Sequence, residues 1–177
     1  MTRTLFNSLG STETPQGVIA IGRAGLDEPA AAVAAAKAAG WPLIVLDRVQ
    51  DPGNVGAIAR SAAAAGAPAL LVLPGTADPF GPKAIRASAG HVFNLVLASG
   101  TWDDVSELDP IGAATGGEPL AEGILSGPGA FVFGSETHGL SREIRTIAIP
   151  MAAGVESLNV AAAAAILLFE LRRLRTA

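Results

Sequence analysis

Short apolar runs, bounded by glycine, proline or charged residues, recur along most of this chain. A run that does not alternate with polar residues is typical of a strand buried on both faces, with helices covering the sheet on either side. We predict strands at Gly17–Ile21, Pro42–Leu46, Ala69–Leu73, Val92–Ala98, Ala130–Phe133 and Ile147–Ile149, with a weaker one at Ile111–Ala114.

The segments between these runs carry alanine and the residues that start and end helices. Glu28 and Pro29 suit a first helical turn, and Gly66 suits the end of a helix. We predict helices at Glu28–Ala39, Asn54–Ala65 and Pro82–Ala89, shorter helical segments at Trp102–Leu108 and Ser141–Arg145, and a last helix that opens at Ser157–Asn159. Strands that alternate with helices predict an α/β fold, in which helices cover both faces of a mostly parallel sheet.

The last helix is apolar on every side from Val160 to Phe169, so we expect it to be buried all round, in part against a partner. Its apolar run is too short for a bilayer span, which needs about 20 residues. The N-terminal residues contain no apolar signal segment. A cytoplasmic location is therefore the expectation.

Length and composition fit one folded domain. The chain has 177 residues, half of them apolar, which is enough for one compact core. Residues 1–16 are polar and lack periodicity, so we expect a tail or a linker remnant there and the folded domain at residues 17–177. Cysteine is absent and only two histidines occur, so neither disulfides nor a metal site is expected.

The net charge of −4 argues against a protein that holds nucleic acid by bulk electrostatics. The charge is uneven, because residues 101–129 contain several acids and no base, whereas Arg48, Arg60, Lys83 and Arg86 lie near the loops described next. Either a local basic face or scattered solvated charges would fit this distribution.

Ligands of parallel α/β sheets bind beyond the carboxyl ends of the strands, and the first unusual loop follows the strand Pro42–Leu46. It contains Asn54, Gly56 and Arg60. The simpler interpretation makes Asn54 a helix N-cap and Arg60 a solvated side chain. The alternative is that Arg60 faces a polyanion.

A second loop, from Gly134 through Glu136 to Gly139, follows a buried strand, and Gly134 would let a ligand approach the backbone. It is not a phosphate-binding P-loop, because serine stands where the lysine is required, and no Gly-x-Gly-x-x-Gly follows any strand. The simpler interpretation is a plain turn with Glu136 in water. In the third loop, Ser157-Leu158-Asn159, the simpler interpretation makes Ser157 the N-cap of the last helix.

Together and in this order, the three loops resemble the motifs of the SpoU (TrmH-type) RNA 2′-O-ribose methyltransferases. The family pattern is Asn-x-Gly-x-x-x-Arg, then Gly-x-Glu-x-x-Gly, then Ser-Leu-Asn-Val. The matching residues are Asn54, Gly56 and Arg60; Gly134, Glu136 and Gly139; and Ser157, Leu158, Asn159 and Val160. The resemblance extends over roughly residues 14–170.

The resemblance implies an α/β domain with a C-terminal trefoil knot that works as a homodimer through its knot helices. It implies that S-adenosylmethionine binds in the knot, against the second and third loops. The cofactor-binding residues expected on this basis are Gly134, Ile149, Met151, Ser157 and Leu158.

The implied reaction moves a methyl group from the sulfonium to a ribose 2′-hydroxyl of ribosomal or transfer RNA, and it needs no metal. The catalytic residues expected from the resemblance are Arg60, Asn54, Glu136, Ser157 and Asn159. Family proposals make the arginine that matches Arg60 a base acting across the dimer interface. Because arginine stays protonated in nearly all settings, we favour a positioned cation that stabilises the developing alkoxide.

Two other functions stay open: a module that binds the cofactor and RNA without catalysis, and a knotted methyltransferase that acts on a base. Many family members carry an RNA-binding domain before the catalytic one, and residues 12–17 resemble the junction that follows it. The negative net charge is easier to understand if affinity for RNA resides in such a domain.

Overall fold

The computed structural model of the chain describes residues 22–119 and 129–176, together with residues 6, 17 and 18. The expected tail at residues 1–16, apart from residue 6, lies outside the described part. Most of the strand predicted at Gly17–Ile21 does so too.

Six strands form one sheet within these ranges. They are β1 (Leu43–Asp47), β2 (Ala69–Val72), β3 (Val96–Ser99), β4 (Pro110–Pro119), β5 (Ala130–Gly134) and β6 (Thr146–Ala148). Neighbouring strands pair in parallel, in the order β3-β2-β1-β5-β4-β6. The predicted fold class, α/β with a parallel sheet, is confirmed.

The described helices lie on both faces of the sheet. They are α1 (Pro29–Ala38), α2 (Pro52–Ala65), α3 (Pro82–Ala87), α4 (Trp102–Ser106) and α5 (Val160–Thr176), with a 3₁₀ turn at His91–Asn94. Each face of the sheet has its own hydrophobic core, and alternate residues of β1 point to each. Leu43 and Val45 pack with α1 and α4, and Ile44 and Leu46 pack with α2 and α5. Both sets of side chains are buried, which is why the strand is apolar at successive positions.

Three predicted elements differ from those observed. The segment predicted as a strand at Val92–Ala98 starts as the 3₁₀ turn, after Gly90 with φ of 81°. The weak strand predicted at Ile111–Ala114 extends to Pro119 as β4. The segment Ser141–Arg145 is not helical; the backbone N–H of Ser141 bonds to the carboxylate of Asp47 at the end of β1.

The two helices of the matched motifs begin at other residues than the simpler interpretations predicted. Helix α2 starts at Pro52 and is capped by Asp51, whose carboxylate accepts from Gly53 N at 2.6 Å. Helix α5 starts at Val160, and its first turn is capped by Asn159 rather than by Ser157. The Asn159 Oδ1 accepts from the backbone N–H groups of the second and third helical residues, at 3.0 and 3.3 Å.

Within the single chain, helix α5 is buried on one side only, and the expected burial of its other side against a partner stays a prediction. Leu167 and Leu168 are buried against α2 and the sheet, whereas the side chains of Ile166 and Phe169 are each 48% exposed. The exposed pair forms an apolar stripe, because residues three positions apart share a helix face. In the described part of the chain, no helix is long and apolar enough to cross a membrane.

Candidate active site

A cleft of about 290 Å³ opens at the carboxyl ends of β4, β5 and β6, beside the first turns of α5. Its walls are mainly apolar. The residues that line it include Ala113, Ala114, Thr115, Phe133, Gly134, Ser135, Glu136, Gly139, Ile147, Ile149, Met151, Ser157, Leu158 and Val160. The volume and the apolar walls suit one small organic ligand.

One wall of the cleft is the turn that follows β5. Ser135 and Gly139 close this turn with two backbone hydrogen bonds, of 3.0 and 2.8 Å. A Cβ atom at Gly134 would lie 2.6 Å from the backbone C and O of Gly139, which is closer than real Cβ contacts come. Glycine is therefore required at Gly134, because the backbone of Gly139 occupies the place where a Cβ would lie.

A bulge in β4 supplies another wall. Ala113 and Glu118 both pair with Ile147 of β6, so the residues between them leave the ladder. Two of these residues, Ala114 and Thr115, line the cleft. The sequence analysis did not assign them to the site. The two consecutive glycines that follow them could have indicated this place, because glycine inside a strand often marks a bulge.

Three polar side chains from the three matched motifs meet at the rim of the cleft. The Asn54 Nδ2 of α2 donates to Glu136 Oε1 in the turn after β5. The Asn159 Nδ2 donates to Asn54 Oδ1 at 3.2 Å. Since Asn159 also caps α5, this chain of hydrogen bonds fixes the start of α5 relative to α2 and to the turn.

The structure brings together all the residues expected to bind the cofactor, because Gly134, Ile149, Met151, Ser157 and Leu158 all line the cleft. Their side chains and backbone form its apolar floor and its glycine wall. Ser157 is exposed and lies beside the start of α5.

Arg60 is not part of this cluster within the single chain. It lies six positions after Asn54 on α2, which places it about 9 Å farther along the helix axis and about 120° around it. Its side chain is exposed. No hydrogen bond or ion pair connects it to the residues that the structure describes.

Comparison with known proteins assigns the chain to a family. The model of the SpoU rRNA methylase family matches residues 42–169. The chain is 35% identical to RlmP of Bacillus subtilis, a 23S rRNA (guanosine(2553)-2′-O)-methyltransferase, over 94% of this chain and 69% of RlmP.

Solved structures show the same likeness. The SpoU methyltransferase AviRb from Streptomyces viridochromogenes, in complex with the cofactor S-adenosylmethionine (AdoMet), is 32% identical with a TM-score of 0.70, over 78% of this chain and 59% of AviRb. The AdoMet-bound rRNA methyltransferase from Sinorhizobium meliloti is 32% identical with a TM-score of 0.73, over 84% and 61% of the two chains. The chain thus spans about three fifths of these solved relatives.

The parallel sheet and the motifs at its carboxyl edge define the chain as a methylase domain of the α/β class. It belongs to the SpoU rRNA methylase family. The expected family is confirmed, and membership implies the expected C-terminal trefoil knot.

Proposed function

We propose that this chain is the catalytic domain of an AdoMet-dependent methyltransferase that modifies a ribose 2′-hydroxyl of ribosomal or transfer RNA. The observation that carries the proposal is the cleft between the turn after β5 and the start of α5, with Asn54, Glu136 and Asn159 joined at its rim. The folded domain would span residues 17–177, and the cytoplasm would be its location.

The residues of the cleft fit AdoMet. Gly134 and Gly139 line the cleft without side chains, so a ligand would meet backbone at these positions. Ile149, Met151 and Leu158 provide apolar contact, and Ser157 provides a hydroxyl at the side of the cleft. When bound, AdoMet would supply a methyl group on a positively charged sulfur, which is a good leaving group, and no metal is required.

The rim residues would hold the acceptor ribose. Glu136 and Asn159 keep the Asn54 amide in one orientation, since each bonds to one end of it. A fixed amide and a carboxylate can orient a hydroxyl in line with a methyl donor, and such alignment is a large part of the rate of a two-substrate reaction. Ser157 would complete this set.

Arg60 would supply the cation near the acceptor oxygen. It would bind a substrate phosphate with its planar guanidinium and stabilise the negative charge that develops on the 2′-oxygen. Because Arg60 is apart from the rim cluster of its own protomer, we propose that it serves the cleft of a second copy.

The proposed assembly is a homodimer, and helix α5 supports it. Ile166 and Phe169 expose an apolar stripe beside two buried leucines. Apolar side chains of this size on one helix face are typical of a surface that a second chain covers.

Two measurements test the proposal. Calorimetry should show that the folded chain binds AdoMet, and assays with tritiated AdoMet should show transfer to RNA, with an RNA-binding part supplied if this chain requires one. Mapping of 2′-O-methyl sites in total RNA, with and without the gene, would identify the nucleotide. Binding without transfer would indicate a module without catalysis, and label on a base would indicate a base methyltransferase.

A further inference from the structure

Among the described residues, Asp47 is the one charged side chain that is buried, with 1% of its surface exposed. It ends β1 and lies opposite Gly134 of β5 in the sheet register. A buried carboxylate is unfavourable unless its oxygens accept hydrogen bonds. The hydrogen-bond partners of Asp47 therefore indicate its structural role.

Both carboxylate oxygens of Asp47 bind the same residue. Oδ2 accepts the backbone N–H of Ser141, and Oδ1 accepts the Ser141 hydroxyl at 2.8 Å. The Ser141 Oγ in turn accepts from Trp102 Nε1 of α4 at 2.7 Å. The Arg48 Nε lies 3.6 Å from Asp47 Oδ1 and offsets part of its buried charge.

These contacts link both ends of the turn after β5 to Asp47. The turn begins at Gly134, which lies beside Asp47 in the sheet, and it ends at Ser141, which Asp47 binds directly. The part between them includes Ser135, Glu136 and Gly139, which line the cleft, whereas neither Asp47 nor Ser141 does. Asp47 thus contacts the turn without lining the cleft.

We propose that Asp47 is a positioning residue that holds residues 134–141 in the shape that binds AdoMet and presents Glu136 to Asn54. This inference rests on the proposed function for the identity of the ligand. Apolar contacts could also have held the turn in place. A carboxylate makes the contact directional, because it accepts hydrogen bonds from a backbone N–H and a hydroxyl of one residue at once. Rotation of the Ser141 peptide would break the bond from its N–H, and the second bond holds the Ser141 side chain.

Asp47→Asn separates this role from simple packing. The amide has the shape of the carboxylate, but only one of its two terminal atoms accepts hydrogen bonds. Its oxygen can still accept the Ser141 N–H, but its NH2 can only donate to the Ser141 hydroxyl, so the charge-assisted bond from that hydroxyl is lost and the turn is held less firmly while the core stays filled. Loss of one charge-assisted hydrogen bond of this kind should weaken AdoMet binding about tenfold.

The matched control is Asp103→Asn. Asp103 lies next to Trp102 and 3.7 Å from Arg142, but its side chain is 91% exposed. Calorimetry with AdoMet, at a temperature where circular dichroism shows every variant folded, should give an unchanged affinity for this control. If Asp47→Asn does not fold, Ser141→Ala removes only the hydroxyl bonds and should show a smaller loss of affinity.

Two further readouts distinguish positioning from general destabilisation. Hydrogen exchange of the ligand-free protein should become faster in residues 135–141 of Asp47→Asn and stay unchanged in α1 and α2. In transfer assays, the KM for AdoMet should rise while kcat at saturating AdoMet stays close to that of the wild type, because bound AdoMet holds the turn, and Glu136 with it, in the binding shape. Wild-type affinity together with wild-type exchange in the folded variants would overturn the inference. A wild-type chain that binds no AdoMet would instead refute the proposed function, and the exchange measurement would still decide whether Asp47 fastens the turn.

Discussion

Replacement of Arg60 by alanine should separate catalysis from stability. The Arg60 side chain is exposed on α2, and its removal leaves no cavity and no buried group without a partner. The free energy of unfolding should therefore change by less than about 0.5 kcal/mol. Loss of a cation that stabilises the transition state should lower turnover about 10²-fold or more, while affinity for AdoMet stays the same.

The distance of Arg60 from the rim cluster makes a sharper test available. If Arg60 serves the cleft of the partner, a mixed dimer of Arg60→Ala and Glu136→Ala contains one intact site, made of the unaltered Glu136 of one chain and the unaltered Arg60 of the other. Random pairing of equal amounts should then restore about a quarter of wild-type turnover from two inactive variants, since half of the dimers are mixed and half of their sites are intact.

The assay is transfer of tritium from labelled AdoMet to RNA, after coexpression of the two variants with different affinity tags. No recovery in a purified mixed dimer would show that Arg60 and Glu136 act within one chain. Wild-type turnover by Arg60→Ala alone would remove Arg60 from the site altogether. Arg60→Lys then measures whether charge is sufficient or the planar guanidinium is needed.

Three further results are expected. Gly134→Ala forces a Cβ against the Gly139 backbone and should weaken AdoMet binding at least tenfold in calorimetry. In the control Gly25→Ala, the new Cβ meets no atom within 4 Å, and the affinity should not change. Equal affinities of the two variants would show that the turn can shift to accommodate a Cβ. Phe169→Glu should give folded monomers in light scattering, and a dimer that persists would place the interface elsewhere. Arg145 donates to Glu118 at 2.7 Å and lowers the pKa of that carboxyl. The bond therefore stabilises the fold above the ordinary carboxyl pKa and is lost as the pH falls; Arg145→Ala should raise the Glu118 pKa in an NMR titration, and an unchanged value would contradict this.

The sheet was predictable because its strands are continuous apolar runs. Ile44 and Val45 face different cores and both are buried, so the pattern in the sequence directly reports burial on two faces. The extent of β4 was not predictable in this way. Its second half contains Gly116, Gly117 and Glu118, which have low strand propensity, and it is held by pairing with β6 that only the assembled sheet provides.

The candidate site was predictable as a set of residues but not as an arrangement. The motif residues Asn54, Glu136 and Asn159 were expected near one another only through the family resemblance, and the hydrogen bonds that join them depend on where two helices begin. The sequence favoured Ser157 as the cap of α5, yet Asn159 caps it while its amide group reaches Asn54. An asparagine side chain has both a donor and an acceptor, so Asn159 can cap α5 with its oxygen and bond to Asn54 with its nitrogen.

The order of the strands has a consequence for synthesis on the ribosome. The central strand β1 pairs with β5 as well as with β2, so one edge of β1 stays open until the chain has grown past residue 134. The rim bonds then connect residues that are 82 and 105 positions apart in sequence. Contacts between distant parts of a chain form late and slowly, because the loop between them must first close. A nascent chain that stops short of Asn159 would contain all six described strands and both partners of the Asn54–Glu136 bond, but it would lack the second rim bond and helix α5. The complete rim would therefore form only after the last strand of the sheet has been made.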